Sequence, residues 1–247
     1  MVVPAYNEER RLPTTLSRLH GYLGDQMFTW EIIVVSNGST DDTEGLVRRM
    51  ADTIPNLRLI AIRERGKGIA SRVGALQSAG EVVFLCDADL SMPPERLVSF
   101  LELIEANDIV VGSREAEGSQ RFHEPGHRHL MGRVFNRVVQ LVAVRGIRDT
   151  QCGFKAFRRE TARDLFAQQR ITGFAFDVEL LYLARKYGYS VEELGIEWYF
   201  DEDTRVRPGI DTLRMLTELF LIRLRDATGE YRSQPAKAAT RTGDIGG

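Results

Sequence analysis

Five short apolar runs, rich in valine and isoleucine, alternate with stretches of helical periodicity over the first 112 residues. The runs occupy 1–3, 32–35, 57–62, 82–86 and 109–111. Between them, apolar spacing predicts helices over 8–23, 41–52 and 67–79, and the prolines at 93–94 begin a fourth. Such alternation requires right-handed crossovers between parallel strands. The sequence therefore predicts an α/β fold, a single Rossmann-like domain whose mostly parallel central sheet is flanked by helices.

The remainder of the chain is predicted to be mainly helical. Apolar spacing predicts helices over 129–145, 160–168, 177–187 and 210–225, and the polar stretch 113–128 predicts a mobile loop. The faces predicted to pack on the core carry Leu130, Val134, Val138, Leu141 and Val142 in the first of these helices and Leu213, Leu216, Phe220 and Leu224 in the last, where Asp211, Arg214, Glu218 and Arg225 lie opposite.

Composition excludes several classes of protein. A net charge of −2 over 247 residues gives no overall positive field for nucleic acid. No apolar run exceeds five residues and no leader segment precedes the first strand, so neither a transmembrane helix nor a signal peptide is predicted. The two cysteines, Cys86 and Cys152, are too few for a disulfide framework. These features favour a cytoplasmic protein.

Three polar clusters follow predicted strands. They are Tyr6-Asn7-Glu8, Ser36-Asn37-Gly38 and Asp87-Ala88-Asp89. Because ligands of open α/β sheets bind beyond the carboxyl ends of the strands, these clusters are expected on one rim. Two acids at a strand end repel each other unless a cation lies between them, and carboxylates are ligands that Mg²⁺ or Mn²⁺ prefers. A helix cap and a surface acid remain the alternative interpretation of the pair.

Other nucleotide and catalytic motifs are missing from the sequence. The glycines around Lys67 fit neither the dinucleotide fingerprint nor the P-loop. There is no zinc-ligand spacing and no nucleophile elbow. A sugar-nucleotide nucleotidyltransferase would need a glycine-rich basic loop after the first strand, which is not there, and a non-catalytic nucleotide-sugar-binding module is the other rival hypothesis.

Several longer blocks identify a family. "VVPAYNEERRL", "EIIVVSNGSTDDT", "RGKGIASRVGALQSAGEVVFLCDADLSMPPE" and "VVGSR" resemble, in order and spacing, the family 2 inverting glycosyltransferases of the GT-A fold. In the second half, "GIRDTQCGFKAF", "FAFDVELLYLARKYG", "IEWYFDEDTRVRP" and "IRLRDATGEY" resemble dolichyl-phosphate β-glucosyltransferases and their polyprenyl-phosphate relatives. The resemblance covers about residues 1–230.

The resemblance implies a UDP-hexose donor, most simply UDP-glucose, a divalent metal and a dolichyl or polyprenyl phosphate acceptor. It implies a nucleotide-sugar-binding half at 1–112 and an acceptor-binding half at 113–232 of the same domain, with 233–247 as a disordered tail. The donor-pocket positions are Pro4, Tyr6, Asn7, Glu8, Asn37, Lys67, Asp87 and Ala88. The metal positions are Asp87 and Asp89, and the acceptor-phosphate positions are Arg114, Arg128 and Arg205.

Three points stay open on the residues alone. A phosphate monoester is already nucleophilic near pH 7 and needs no base, whereas a hydroxyl acceptor would need one, and Asp177 or Glu179 would then be the candidate. Ser36-Asn37 stands where the family commonly has two aspartates, so GDP-mannose is an alternative donor. A lipid acceptor also predicts peripheral contact with the cytoplasmic face of a membrane, through 113–128 and the arginine-rich faces of 129–145 and 210–225.

Overall fold

The computed structural model of the protein describes residues 1–201 and 209–231. Its strands are β1 Val2–Ala5, β2 Ile32–Asn37, β3 Leu57–Ile62, β4 Val82–Leu85, β5 Ile109–Ser113, β6 Gln120–Phe122, β7 Lys155–Arg158, β8 Val191–Gly195 and β9 Glu197–Tyr199. Its α-helices are α1 Leu12–Gly24, α2 Thr43–Ala51, α3 Lys67–Gln77, α4 Leu97–Ile104, α5 Gly126–Val142, α6 Arg159–Gln168, α7 Phe176–Lys186 and α8 Ile210–Ala227. The tail predicted over 233–247 lies outside the described residues.

One sheet of seven strands organises the molecule. The strand order is β3-β2-β1-β4-β7-β5-β8, and β7 runs antiparallel to both neighbours while the other pairs are parallel. The predicted α/β fold with a mostly parallel sheet is therefore confirmed. Because β4 and β5 lie on either side of β7, strands from both halves of the chain alternate within the same sheet.

Each strand buries side chains on both faces of the sheet. Val2 and Ile33 point into a core shared with α3, α5, α6, α7 and α8, and their chain neighbours Val3 and Val34 point into a core shared with α1, α2 and α4. A strand that is covered on both sides has no polar face, which explains why these segments are continuous apolar runs.

The strands of the second half were not predicted. β7 begins within the polar-aromatic stretch 149–157 and ends at Arg158. Its four residues start with a lysine and end with an arginine, which hides the strand pattern. The prediction of a mobile loop over 113–128 is wrong in part, because β6 pairs there with β9 in a two-stranded parallel sheet and α5 begins at Gly126. Phe122 of β6 stacks on Tyr199 of β9 with ring centroids 4.5 Å apart.

Helices α5 and α8 turn much of their predicted apolar faces outward. Leu141 of α5 is 79% exposed, and Leu213 and Phe220 of α8 are 67% and 64% exposed. The core is instead contacted by Met215, Glu218, Leu219 and Ile222 of α8 and by Phe135 and Val139 of α5. The predicted packing faces were therefore wrong in part, since Val138 and Val142 of α5 and Leu216 of α8 do pack against the core. The helix α8 has two apolar strips, and periodicity alone cannot tell which is covered. Among the described residues, no helix combines the length and apolar character needed to cross a bilayer.

Candidate active site

The loops after β1 and β2 are joined by a left-handed asparagine. Asn7 adopts φ 55°, a conformation that asparagine tolerates better than most residues. Its Oδ1 accepts from the Thr40 backbone N–H at 2.7 Å, and its own N–H donates to Ser39 Oγ at 3.1 Å. The next residue, Glu8, is buried, and its N–H donates to Thr43 Oγ1 at 2.8 Å. Two of the three predicted clusters therefore meet on one rim.

Asn37 and Tyr6 complete this part of the rim. The Asn37 amide donates to the Ala5 carbonyl at 2.8 Å and accepts from the Gly66 N–H at 3.1 Å. It thereby joins β1, next to Pro4, to the start of α3. An amide oxygen has two lone pairs, so it can accept a second hydrogen bond besides that from Gly66. The guanidinium of Arg65 lies over the Tyr6 ring, 4.9 Å from its centroid.

The acid pair follows β4 as predicted, and a lysine from α3 lies against it. Lys67 Nζ is 2.5 Å from Asp87 Oδ1, and the Ala88 carbonyl accepts from Thr15 Oγ1 at 2.6 Å. Burial opposes the charged ammonium, but the nearby carboxylates outweigh it and raise the pKa of Lys67. Burial, followed by the charge of Asp87, raises the pKa of Asp89, although a hydrogen bond from Ser91 opposes the rise. Negative charge is thus concentrated here, with the ammonium of Lys67 beside it.

Gly153 is a site residue that the sequence analysis missed. A Cβ at this position would lie 1.9 Å from Asp87 Oδ2 and 2.4 Å from its Cγ. The loop before β7 therefore reaches the acid pair only because residue 153 has no side chain. The glycine of "QCGFK" was a visible signal, but the sequence does not show which residue it approaches.

Beneath the acid pair, charges alternate in the interior. Lys155 is fully buried, and its Nζ donates to Asp177 Oδ1 at 2.6 Å and to the Cys152 carbonyl. Burial raises the pKa of Asp177, and the ion pair with Lys155 opposes that rise. Glu179 accepts from the backbone N–H groups of 170 and 171 and from the Tyr231 hydroxyl at 2.6 Å. Both acids therefore serve the packing of α7 in this structure.

The predicted acceptor arginines are held by aromatic rings and by one carboxylate. Arg114 donates from Nε and Nη2 to the two oxygens of Asp149 at 2.7 and 2.9 Å, and its guanidinium lies 5.1 Å from the Trp198 ring centroid. Arg128 lies over Phe200 at 4.9 Å. Arg205 is outside the described residues.

The remaining chemistry near the rim is limited. Both cysteines are buried and free, and burial raises the pKa of each thiol, that of Cys152 to about 12, so neither is a ready nucleophile. Within 1–201 and 209–231, no three histidine, cysteine or acidic side chains are grouped as a metal cage. A cation bound by Asp87 and Asp89 would therefore complete its shell with water or phosphate oxygens.

A cavity of about 280 Å³ lies beside the loop before β7. It is bordered by α5, by the β6 region and by residues 148–151, so the same loop contacts Asp87 through Gly153 and the cavity through Asp149. Five arginines and three acids line it, and Arg114 is one of them. The site thus has an acidic part and, beyond one loop, a basic part.

Residues 1–166 match the sequence profile of Glycosyl transferase family 2. The chain belongs to this family. The match spans the rim loops, the acid pair and the loop that carries Gly153, so the prediction of a family 2 glycosyltransferase is confirmed.

Relatives of this family 2 member include several dolichyl-phosphate beta-glucosyltransferases. The Trichomonas vaginalis enzyme is 38% identical over 83% of this chain and 65% of its own length, so the chain spans just under two thirds of that relative. The Dictyostelium discoideum enzyme is 36% identical over 94% of this chain and 76% of its own. The human enzyme is 35% identical over 96% and 78%.

Solved structures similar to this family 2 chain have the same fold at lower sequence identity. Glucosyl-3-phosphoglycerate synthase from Mycobacterium tuberculosis, solved with Mn²⁺ and uridine-diphosphate-glucose, has a TM-score of 0.65 at 19% identity and covers 92% of this chain and 77% of its own. Its complex with uridine-diphosphate gives a TM-score of 0.64, covering 89% and 78%. The predicted GT-A architecture is therefore confirmed.

Proposed function

We propose that the protein transfers glucose from UDP-glucose to the phosphate of a dolichyl or polyprenyl lipid, with inversion to a β-linked product. One observation carries most of this proposal: the acid pair of the donor rim and an arginine-lined cavity lie on opposite sides of one loop. The relatives at 35–38% identity, all named dolichyl-phosphate beta-glucosyltransferases, support the same pairing of donor and acceptor.

The residues of the rim fit a divalent metal. Asp87 and Asp89 offer hard carboxylate oxygens, and the ammonium of Lys67 beside Asp87 is evidence that this position accommodates positive charge. When bound, Mg²⁺ or Mn²⁺ would supply positive charge to the departing diphosphate. Lys67 would add its own charge to that leaving group, and Asn37, Asn7 and Tyr6 would orient the nucleotide.

The acceptor phosphate would act as its own nucleophile. A phosphate monoester is largely dianionic near pH 7, so one of its oxygens can attack the anomeric carbon while the bond to the UDP oxygen breaks. No proton needs to be removed. The structure supports this over a hydroxyl acceptor, because the two base candidates, Asp177 and Glu179, are buried and already paired.

Positive side chains would hold the acceptor. Arg114 is pre-oriented by Asp149 and Trp198, and Arg128 lies over Phe200 at the start of α5. Arginine suits this task because its planar fork binds two phosphate oxygens at once. We include Arg205 in the proposal on its sequence match alone.

The exposed apolar surface of α5 and α8 would contact the membrane that carries the lipid. We call it the apolar strip; its residues are Leu130, Met131, Val134, Leu141, Leu213, Phe220, Leu221 and Leu224. The two helices are in contact, and the strip has residues on both. Exposed apolar residues beside arginines are the composition of a surface that lies in a bilayer interface. We propose peripheral contact of this kind, at the cytoplasmic face.

Donor choice is the part of the proposal that an assay tests first. The protein is incubated with Mn²⁺, a short polyprenyl phosphate and either UDP-glucose or GDP-mannose, and the lipid phase is examined by mass spectrometry. A glucolipid from UDP-glucose alone is expected. A product from GDP-mannose alone would keep the mechanism and correct the donor, and release of pyrophosphate from UTP and a sugar phosphate would replace the proposal with a nucleotidyltransferase.

A further inference from the structure

The arginine-lined cavity holds more positive charge than its own acids use. Of its three acids, Asp149 binds Arg114, while Glu115 and Glu124 bind Arg121. The other acid-facing group is His129, whose Nε2 is 2.9 Å from Glu115 Oε1.

Three further arginines of the cavity form no ion pair with these acids. They are Arg133, Arg137 and Arg148. In the part of the chain that the structure describes, no carboxylate lies within ion-pair distance of these three guanidinium groups. The main chain at Arg148 is fixed, because its backbone N–H donates to both oxygens of Glu193 at 2.9 Å, while its side chain is exposed. Uncompensated guanidinium groups around a cavity are a feature of anion sites.

The same helix places apolar side chains next to these charges. Arg133 and Arg137 are four residues apart on α5, so they lie one above the other on its surface. Arg137 is three residues from Val134 and four from Leu141, and Arg133 is three from Leu130. A row of arginines therefore lies alongside the α5 part of the apolar strip, and this juxtaposition suits a ligand with an anionic head and a hydrocarbon chain.

We propose that the cavity binds the phosphate monoester head of a lipid. Arg133, Arg137 and Arg148 join Arg114, which lines the same cavity, as its cations, and the lipid chain lies along Leu130, Val134 and Leu141. A monoester offers three terminal oxygens and nearly two charges, whereas a phosphodiester offers two oxygens and one charge. A cluster of guanidinium forks therefore selects the monoester. The inference rests on the proposed function, since the polyprenyl phosphate acceptor is such a monoester.

Vesicle binding without donor tests the proposal. Full-length protein is titrated with phosphatidylcholine vesicles that contain either polyprenyl phosphate or phosphatidylglycerol, matched in surface charge, and binding is measured by cosedimentation. The wild type is expected to prefer the monoester vesicles about 10-fold, a difference that two charge-assisted hydrogen bonds can supply. Equal affinity for both vesicles would overturn the proposal.

A matched pair of variants separates the site from general attraction. Arg133→Gln/Arg137→Gln is expected to abolish the preference for the monoester, while Arg18→Gln/Arg163→Gln removes two exposed charges from α1 and α6 and is expected to keep it. Equal loss of the monoester preference in both variants would mean that net charge alone attracts the protein to the vesicles, and this would contradict the proposed binding site. Inorganic phosphate is the second probe: weak competition, only at far higher concentration than the lipid, supports a lipid site, and competition as strong as that of the lipid would overturn the lipid assignment.

The vesicle-binding result tests this inference separately from the proposed catalytic activity. Monoester preference that depends on Arg133 and Arg137 supports this inference even if UDP-glucose yields no glycolipid, in which case only the proposed function fails. Glycolipid formation with unchanged kinetics for lipid phosphate in Arg133→Gln/Arg137→Gln would contradict the inference and leave the proposed function standing.

Discussion

At the scale of single residues, the rim works by keeping like charges in place without neutralising them. Burial and the charge of Asp87 disfavour the Asp89 carboxylate and raise its pKa. Hydrogen bonds from Ser91 and the charge of Lys67, which pairs with Asp87, oppose this rise without cancelling it. A carboxylate that stays charged in such a position lowers the free energy of unfolding. Groups with perturbed pKa values of this kind are concentrated at functional sites. The acid pair thus fits a role in binding cations better than a role in folding.

The variant Asp89→Asn separates these two roles. It removes one negative charge and keeps the side-chain shape, so we expect sugar transfer to fall at least ~100-fold through loss of leaving-group stabilisation. The free energy of unfolding in metal-free buffer should not fall, because the native environment disfavours the charge that is removed. Turnover and urea unfolding are the two measurements. Turnover like that of the wild type would contradict the metal assignment.

Gly153→Ala tests the close approach of the loop to Asp87. The added methyl would overlap the Asp87 carboxylate, so that carboxylate must move, and we expect turnover to fall ~10-fold or more because small displacements at a reacting centre are costly. Gly21→Ala is the control, since a Cβ there has no neighbour within 4 Å and an alanine in a helix is expected to stabilise by ~0.5–1 kcal/mol. Full activity of the Gly153 variant would mean that Asp87 need not hold its position.

The sequence predicted the residues whose chemistry is visible in their type and missed those whose role depends on a neighbour. Asp87 and Asp89 were predicted because two acids after a buried strand need a cation. Gly153 and Lys155 were missed, because neither the approach to Asp87 nor the burial beside Asp177 can be derived from the residue itself.

At the scale of elements, Asp149 fastens the end of β5 to the loop before β7. Burial alone would raise the pKa of Asp149, but the charge and hydrogen bonds of Arg114 lower it to about 2. The folded state therefore favours the carboxylate, and the stability it contributes, about 2 kcal/mol, is present above pH ~4 and is lost as the pH falls toward 2.

The variant Asp149→Asn should show this dependence directly. We expect it to lower the free energy of unfolding by at least ~2 kcal/mol at pH 7, with the difference from the wild type narrowing below pH ~4. Urea unfolding across this pH range is the measurement. A difference that stays constant with pH would show that the pair is not the source of the stability.

Elements were predicted where one periodicity dominates and were missed where two compete. The helix α3 was found within two residues of its ends, because its buried residues share one face. The helix α7 was found within one residue of its ends, although every residue from Phe176 to Ala184 is buried. For α8 the wrong strip was chosen, because Glu218 suggested a polar face although it lies against the start of α7, where its carboxylate accepts from the Ala175 N–H at 3.3 Å. An acid at a helix N-terminus is favourable, so tertiary structure decided the orientation of α8.

At the scale of the whole molecule, three regions follow one another. They are the rim that carries the acid pair, the arginine-lined cavity and the apolar strip. The shared sheet fixes the rim, the loop that carries Gly153 joins the rim to the cavity, and α5 joins the cavity to the strip. This order matches the three parts of the proposed reaction: nucleotide sugar, phosphate and hydrocarbon chain.

The apolar strip can be tested without touching either site. We expect Leu213→Ser/Phe220→Ser/Leu224→Ser to weaken vesicle binding ~10-fold or more. The variant buries less apolar area in the bilayer, and each Å² that is not buried costs about 25 cal/mol of binding free energy. Its free energy of unfolding should change by less than ~1 kcal/mol, since these side chains are exposed. The buried control Leu219→Ala should lose ~2–5 kcal/mol of stability. Unchanged vesicle binding in the triple variant would exclude the strip as the membrane contact.

The central claim is that a lipid phosphate is the nucleophile, and comparison of two acceptors tests it most directly. Polyprenyl phosphate and the matching polyprenol differ only in the phosphate, and each is offered with UDP-glucose and Mn²⁺ while the glucolipid is measured. We predict a product from polyprenyl phosphate and none from polyprenol, because the buried, paired Asp177 and Glu179 cannot activate a hydroxyl. Comparable transfer to polyprenol would contradict the claim.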